Sequence, residues 1–479
     1  MRNNGGVAEN KMQQHRIVII GGGPGGYEAA KAGRQLGAEV VLIEENGVGG
    51  NAVLTDVVPS KSLIATAEAA QRVSIAQSLG IEFSIDGKEV NPKIKIDLRD
   101  MNQRVLKLAK SQSEEMLTHL KQIGVRVISG RGRLDGNHHV IVEHSTGGEP
   151  ERMEAKTIIV AVGASPRELD GARTDGERIL NWKQLYSLEA MPEHLIVVGS
   201  GVTGAEFASA YLELGCQVTL VSSREKVLPG NDEDAAELIE DVFVRHGMNL
   251  LKKVRAESVT NTGDGVEVKL STGKVLTGSH CLMAVGATPN TAGLGLEEAG
   301  IKLEQDGRVV VNKVARTSRA NVYAIGDCST HLPLASVSAM MGRTAVYHTM
   351  GDVATPTRLR NVASNVFTAP EIAQVGWSQQ EIEQGLVRGE VYTIDLDANP
   401  RAKMQGLREG FIKLFASVGS GTVIGGVVVA PRASDLIYPI AVAVENRLTV
   451  DQLARTYTVY PSLSGSIAEA ASALHQPID

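Results

Sequence analysis

The feature that most constrains this chain is a strand, turn, helix and strand unit that occurs twice. Residues 16–45, RIVIIGGGPGGYEAAKAGRQLGAEVVLIEE, run from Ile17, Val18, Ile19 and Ile20 into Gly21, Gly23 and Gly26, then through helix formers to a second apolar strand ending at Glu44. Gly21 permits a sharp turn, Gly23 lets the backbone approach a pyrophosphate with no Cβ in the way, and Gly26 lets the helix pack close to the strand. A helix starting there offers phosphate its free N–H groups and the positive end of its dipole. Glu44, 18 residues past Gly26 and followed by Glu45, stands where a carboxylate accepts hydrogen bonds from both hydroxyls of a ribose. A bare GxGxxG is weak evidence, but in this setting it predicts a dinucleotide site.

Residues 194–224, HLIVVGSGVTGAEFASAYLELGCQVTLVSSR, repeat the unit without a gap. Gly199, Gly201 and Gly204 match Gly21, Gly23 and Gly26 at an offset of 178 residues, with Val202 and Thr203 opening the helix, Glu206 matching Glu28, and Gly215 matching Gly37. The copies differ at the acid, where Ser222, Ser223 and Arg224 take over from Glu44. Losing a carboxylate and gaining a cation suits a ribose 2′-phosphate, so the second site is expected to take NADP as well as NAD. The first, with its acid intact, is expected to hold FAD.

A chain of 479 residues leaves room for two to four domains. The net charge of −7 is mild and no Lys/Arg cluster points to nucleic acid. Residues 1–15 are polar, lack the apolar run of a signal peptide, and are expected to form a disordered tail. No stretch approaches the length of about 18 apolar residues that a transmembrane helix needs. Cys216, Cys281 and Cys328 are widely spaced and odd in number, against both a disulphide framework and a zinc site. A cytoplasmic protein is expected. Apolar positions at helical spacing predict a core-packing helix over 101–123 that stops at Gly124. The adjacent His138 and His139 read as a polar turn between strands rather than a metal site.

After Glu45 comes NGVGGNAVLTDVVPSKSLIATAE, and here the chain resembles the flavoprotein disulphide reductases, the lipoamide dehydrogenase-like family. In that family Gly-Gly-Thr-Cys, four residues, then Cys-Ile-Pro-Ser-Lys lays a redox-active disulphide against the flavin. This chain keeps Gly49, Gly50, Pro59, Ser60 and Lys61, but has Asn51 for the threonine, Ala52 for the first cysteine and Val57 for the second. Neither Ala52 nor Val57 carries electrons, so the dithiol relay is absent. The resemblance implies an α/β fold with two Rossmann-like dinucleotide-binding domains (glutathione-reductase-like) and a C-terminal α+β dimerisation domain. It places Lys61 beside the flavin ring, paired with Glu206, where a fixed cation stabilises charge arriving with the hydride. Gly50, Asn51, Gly132 and Arg133 fall at its FAD contacts.

The segments TIIVAVGASP (157–166) and CLMAVGATPN (281–290) echo each other as buried strands ending in glycine. In the family such ends mark the crossings between nucleotide domains, so Ala161 and Gly163 are counted with FAD and Gly286 with NAD(P). The implied organisation is an FAD domain over 16–166 and 288–356, an inserted NAD(P) domain over 167–287, and an interface domain over 357–479 that forms a homodimer. In the family the Asp that ends such a strand binds the flavin's ribityl chain, so the resemblance gives that role to Asp327 after Gly326, with Cys328 beside it expected to be buried and inert. Leu334, Ala335 and Ser336 match the segment near the flavin's pyrimidine edge. Trp377, Phe411 and Tyr438 need only a packing role. In TVYPSLSGSI (458–467) the family's acid/base histidine is Tyr460 and its orienting glutamate is Gly465. Tyr460 is kept as a donor to a substrate carbonyl, and His475 as an exposed helix-end residue. Taken together, the resemblance implies an FAD-dependent NAD(P)H:quinone oxidoreductase, as in the actinobacterial branch that lacks the cysteine pair. The alternatives are a soluble pyridine nucleotide transhydrogenase, which keeps the glutamate that Gly465 replaces, and a non-catalytic FAD-binding subunit.

Overall fold

Runs of β-branched residues closed by glycine give this protein its central strands. In the computed structural model, which describes residues 15–90 and 93–475, β1 (Arg16–Ile20), α1 (Pro24–Gln35) and β2 (Glu39–Glu44) follow one another, and α2 (Gly50–Leu54) and α3 (Val57–Ser74) come next. Residues 1–14 of the expected tail lie outside the described residues. His15, counted with that tail, is instead half-buried and placed, its Nε2 lying 3.1 Å from Thr157 Oγ1.

The chain packs as two units. The first comprises residues up to Ser62, Asn102–Arg167 and Gly286–Leu359. Its seven-stranded sheet has the order Val322–Ala324, Thr157–Val160, β1, β2, Arg126–Asp135, His139–His144, Glu151–Glu154. β1 runs parallel to both neighbours, and a parallel strand covered on both faces reads as a continuous apolar run. Ile17, Val18 and Ile19 are accordingly wholly buried, each stabilising the fold by about 1.5–3 kcal/mol. The last three strands form an antiparallel meander, in which His139 is a strand residue rather than part of the turn.

The expectation of one buried strand over 157–166 needs correcting. The strand stops at Val160, breaks at Gly163 (φ 65°), and resumes as Ala164–Pro166. Segment 281–290 breaks in the same way around Gly286 (φ 99°), between His280–Met283 and Ala287–Pro289. A residue at positive φ ends the extended run and redirects the chain. The two outgoing ends then pair with each other as an antiparallel ribbon, Ala164 opposite Pro289 and Pro166 opposite Ala287.

The second unit comprises Leu63–Met101, Glu168–Val285 and residues from Arg360 onward. Its parallel sheet has the order Ile179–Leu180, His280–Met283, β3 (His194–Val198), β4 (Gln217–Val221), Asn249–Leu251. α4 (Val202–Glu213) follows β3, and α5 (Glu233–Arg245) follows β4. An antiparallel three-stranded sheet packs Val259, Val266 and Val268 into one core with Ile196 and Val198 of β3. The C-terminal part of this unit is a five-stranded antiparallel sheet whose inner face, with Ile412, Leu414 and Val428, packs with Ile440, Ala443 and Ala470. Of the three aromatics assigned to packing, Phe411 is buried, while the Arg360 guanidinium lies 3.5 Å over the Trp377 ring. Tyr438 is 70% exposed and packs against little in a single protomer. One charged cluster is buried here: Lys413 Nζ meets Asp232 Oδ1 at 2.8 Å, Asp234 Oδ2 at 2.6 Å and Gln379 Oε1 at 2.7 Å.

Candidate active site

The two glycine turns are built alike. Gly21 N–H donates to Ile43 O (2.8 Å), and Gly199 N–H to Val221 O (3.0 Å), so each turn leaves its strand over the end of the next. A Cβ on Gly26 would lie 2.0 Å from Gly21 O, and one on Gly204 1.8 Å from Gly199 O, so any side chain there would push helix from turn. Gly23 and Gly201, by contrast, face open space, with no atom within 4 Å of an ideal Cβ. That is the cradle a diphosphate needs.

In the first turn the Glu44 carboxylate is already committed to backbone. Oε2 accepts from Gly22 N–H at 2.6 Å, and Oε1 from Asn46 N–H (2.7 Å) and Gly47 N–H (3.2 Å). It therefore clasps the turn, and a carboxylate with about four lone-pair sites still has one for a hydroxyl. Glu45 beside it is exposed. The 47–50 loop folds back onto the turn through Gly49 N–H to Gly22 O (2.8 Å), which brings Gly50 against Gly23. Asn51 spends its amide on Ala164 O (2.7 Å), fixing α2 to the ribbon strand. Ala161 presents its carbonyl to Gly21, and Gly132 lies against Ile20 and Ile43. Arg133 is exposed, 3.9 Å from Glu143.

Asp327 follows the strand Val322–Ala324, and Leu334, Ala335 and Ser336 start the helix Ala335–Met350. Burial pushes the Asp327 carboxyl above its ordinary value against the opposing charge of Arg308. Among the described residues its side chain has no hydrogen-bond partner. A desolvated acceptor without a donor, in the unit that carries the open Gly23 cradle, fits a hydroxylated dinucleotide such as FAD.

The second turn corrects one expectation. Ser222 is 0% exposed, and its hydroxyl is 2.7 Å from Ser200 Oγ while accepting from Arg224 N–H at 3.1 Å. It shapes the turn from inside, so only Ser223 and Arg224, both exposed, are open to a phosphate. Ser200 was not foreseen. Setting the copies side by side past the glycines finds it, because Gly22 to Glu44 and Ser200 to Ser222 span the same 22 residues. Val202 and Thr203 form the first turn of α4, and Gly286 is exposed where the ribbon returns.

Glu206, on α4, is 4% exposed and accepts from Phe367 N–H at 2.9 Å, and one turn on Ser209 Oγ accepts from Ala369 N–H at 3.2 Å. These backbone clasps from the C-terminal segment carry no sequence signature. Lys61 is half-buried in α3. Ala52 lies in α2 and Val57 opens α3. The three cysteines are free and buried, with Cys216 and Cys328 each pushed up to about 11 and Cys281 also raised. None is a thiolate nucleophile. Tyr460 is 82% exposed and lines, with Asn399, Gly465 and Glu469, a cavity of about 340 Å³. His475 is exposed, its Nδ1 2.6 Å from Asp451.

Two open glycine turns, each at the end of a parallel strand, suit an oxidoreductase that handles two dinucleotides. The chain belongs to the pyridine nucleotide-disulphide oxidoreductase family, which uses FAD and NAD(P)H: residues 15–342 match it, and residues 362–471 match its dimerisation domain. It is 50% identical over 474 residues, 97% of this chain and 95% of the relative, to a Mycobacterium tuberculosis protein named NAD(P)H dehydrogenase (quinone). It is 31% identical over 465 residues, 96% of this chain and 97% of the relative, to the dihydrolipoyl dehydrogenase of Zymomonas mobilis. The crystal structure of LpdA from Mycobacterium tuberculosis matches with a TM-score of 0.91 at 49% identity, covering 96% of this chain and all of that one.

Proposed function

We propose that the protein is an FAD-dependent NAD(P)H:quinone oxidoreductase without disulphide-reductase activity, working as a homodimer in the cytoplasm. The observation that carries the reading is Ala52 and Val57 at the paired-cysteine positions, with every cysteine of the chain buried and held as a thiol. The mycobacterial relative that is 50% identical over 95% of its own length is named NAD(P)H dehydrogenase (quinone), which supports the reading. No helix among the described residues is long and apolar enough to cross a membrane.

FAD bound here would supply the redox chemistry that carries two electrons and a proton from the nicotinamide to the quinone, the second proton of the quinol coming from water. We assign residues 16–166 and 288–356 to holding it, 167–287 to the nicotinamide nucleotide and 357–479 to the dimer interface. Gly21, Gly23 and Gly26 take the FAD diphosphate, Glu44 a ribose hydroxyl, and Asp327 a ribityl hydroxyl. Gly199, Gly201 and Gly204 take the second diphosphate, with Arg224 at the 2′-phosphate. Lys61 supplies positive charge where reduction adds negative charge. Glu206, buried and anchored to Phe367 N–H, holds its end of α4 fixed. The acceptor slot lies beside Ala52 and Val57, and Tyr460 of one protomer donates a hydrogen bond there to a quinone carbonyl bound by its partner. Tyr457, Val459 and Tyr460 at 102%, 78% and 82% exposure form an apolar segment of the kind that a dimer covers.

The test is an anaerobic acceptor panel with NADPH and NADH against benzoquinones, naphthoquinones, lipoamide and oxidised glutathione. Turnover with quinones and background rates with disulphides are expected. Robust lipoamide turnover, or reduced protein that no quinone reoxidises, refutes the reading.

A further inference from the structure

We propose that Lys253 is a specificity residue of the nicotinamide-nucleotide site: by holding Glu225, it keeps the surface beside Arg224 positive enough to admit a ribose 2′-phosphate. The proposal rests on the reading above that this turn takes NADPH through Arg224.

Backbone geometry places Lys253 there. The 222–228 loop folds onto the glycine turn through Leu228 N–H to Ser200 O (2.8 Å). A second turn is stitched to that loop by Lys253 N–H to Arg224 O (3.0 Å) and Val254 N–H to Ser222 O (2.9 Å). Lys253 sits at φ 59°, in the left-handed region, a cost that a lysine carries only where the surrounding chain fixes it.

The charges explain what it does there. Lys226 is paired with Glu233 and Glu237, and Lys252 with Glu240, which also accepts from Val227 N–H. Both cations are spent on α5. The Arg224 guanidinium is exposed and has no ion pair among the described residues. Its sequence neighbour Glu225 is the one carboxylate in the 222–228 loop, and it meets Lys253 Nζ at 2.6 Å. That hydrogen bond holds the Glu225 carboxyl below its usual range. Unmatched, Glu225 would set a negative charge beside a phosphate carrying about −1.5 to −2.

Calorimetric titration of the FAD-loaded protein with 2′,5′-ADP and with 5′-AMP at low ionic strength tests this. Lys253→Ala is expected to weaken 2′,5′-ADP about three- to tenfold, the scale of one exposed charge at low salt, and to leave 5′-AMP within about twofold. Glu225→Gln is expected to bind 2′,5′-ADP at least as tightly as the wild type. The double variant is expected to return to within about twofold of it, because the lysine acts through the carboxylate. A Lys253→Ala variant with unchanged 2′,5′-ADP affinity, or a double variant as weak as Lys253→Ala, overturns the proposal. Arg224→Ala separates the two levels. If it leaves 2′,5′-ADP binding intact, the NADPH reading itself fails; if it weakens binding while Lys253→Ala does not, only the role of Lys253 fails.

Discussion

Lys413→Met removes the one ammonium buried in the C-terminal sheet. Its side chain is 1% exposed and its partner Asp232 3%. Methionine fills nearly the same volume, so the loss is almost wholly electrostatic. Asp232 would keep only its N-cap bond from Ala235 N–H at 3.2 Å, with Glu233 and Asp234 as like-charged neighbours. Leaving a buried carboxylate without its counter-charge costs about 3–5 kcal/mol. At about 1.4 kcal/mol per decade, local opening becomes about a hundredfold to a few thousandfold more frequent. Amide hydrogen exchange reads this directly. The amides of α5 and of Phe411–Ser417 should lose protection by that factor, while β1 in the other unit keeps its own. Lys413→Met with Asp232→Asn should recover most of the loss, since asparagine caps a helix as well as aspartate does. Unchanged protection in α5, or a double variant no better than the single one, would refute the reasoning.

Arg224→Ala should raise KM for NADPH about tenfold, about 1.4 kcal/mol, and leave NADH nearly unchanged in steady-state kinetics; equal losses would remove Arg224 from the 2′-phosphate. Lys61→Ala should lower the two-electron flavin potential by a few tens of millivolts, about 30 mV for each 1.4 kcal/mol, in a spectroscopic redox titration; an unchanged potential would make Lys61 an ordinary solvated lysine. Because burial raises the Asp327 carboxyl, its contribution to stability is present below the unfolded value near pH 4 and is lost as pH rises through the folded value. FAD-free Asp327→Asn should therefore melt above the FAD-free wild type at pH 7 but not at pH 4, and fluorescence titration should show FAD affinity at least about tenfold weaker.

Both turns were legible in the sequence because their chemistry is local. Gly26 meets an atom only five residues away and Gly204 does the same in its copy, so strand, turn and helix fit inside one readable window. The facing of Ser222 was not legible. Whether a hydroxyl at the end of a strand points to a ligand or inward depends on the residue across the turn, and only Ser200 decides it. Still less visible were contacts that join distant stretches of chain, such as Asp232 to Lys413, 181 residues apart, or Glu206 to a backbone N–H that any residue supplies. The exposure of Tyr438 belongs to the same class, since an aromatic at the start of an apolar helix reads as core until its neighbours are known. Strand ends at Gly163 and Gly286 were marked by glycine, but the pairing of the two outgoing ends with each other was not.

That ribbon has a consequence for how such a protein can change. The chain leaves the first unit at Ala164–Pro166 and re-enters it at Ala287–Pro289 on hydrogen-bonded neighbours, with Arg167 N–H still donating to Gly286 O at 3.0 Å. Whatever lies between therefore starts and finishes at one address, and the host sheet experiences it as a single long loop. A segment with adjacent ends can be exchanged, by recombination or at the bench, without moving a strand of the host sheet, provided the replacement keeps the carboxylates that Lys413 and Phe367 N–H meet at Asp232 and Glu206.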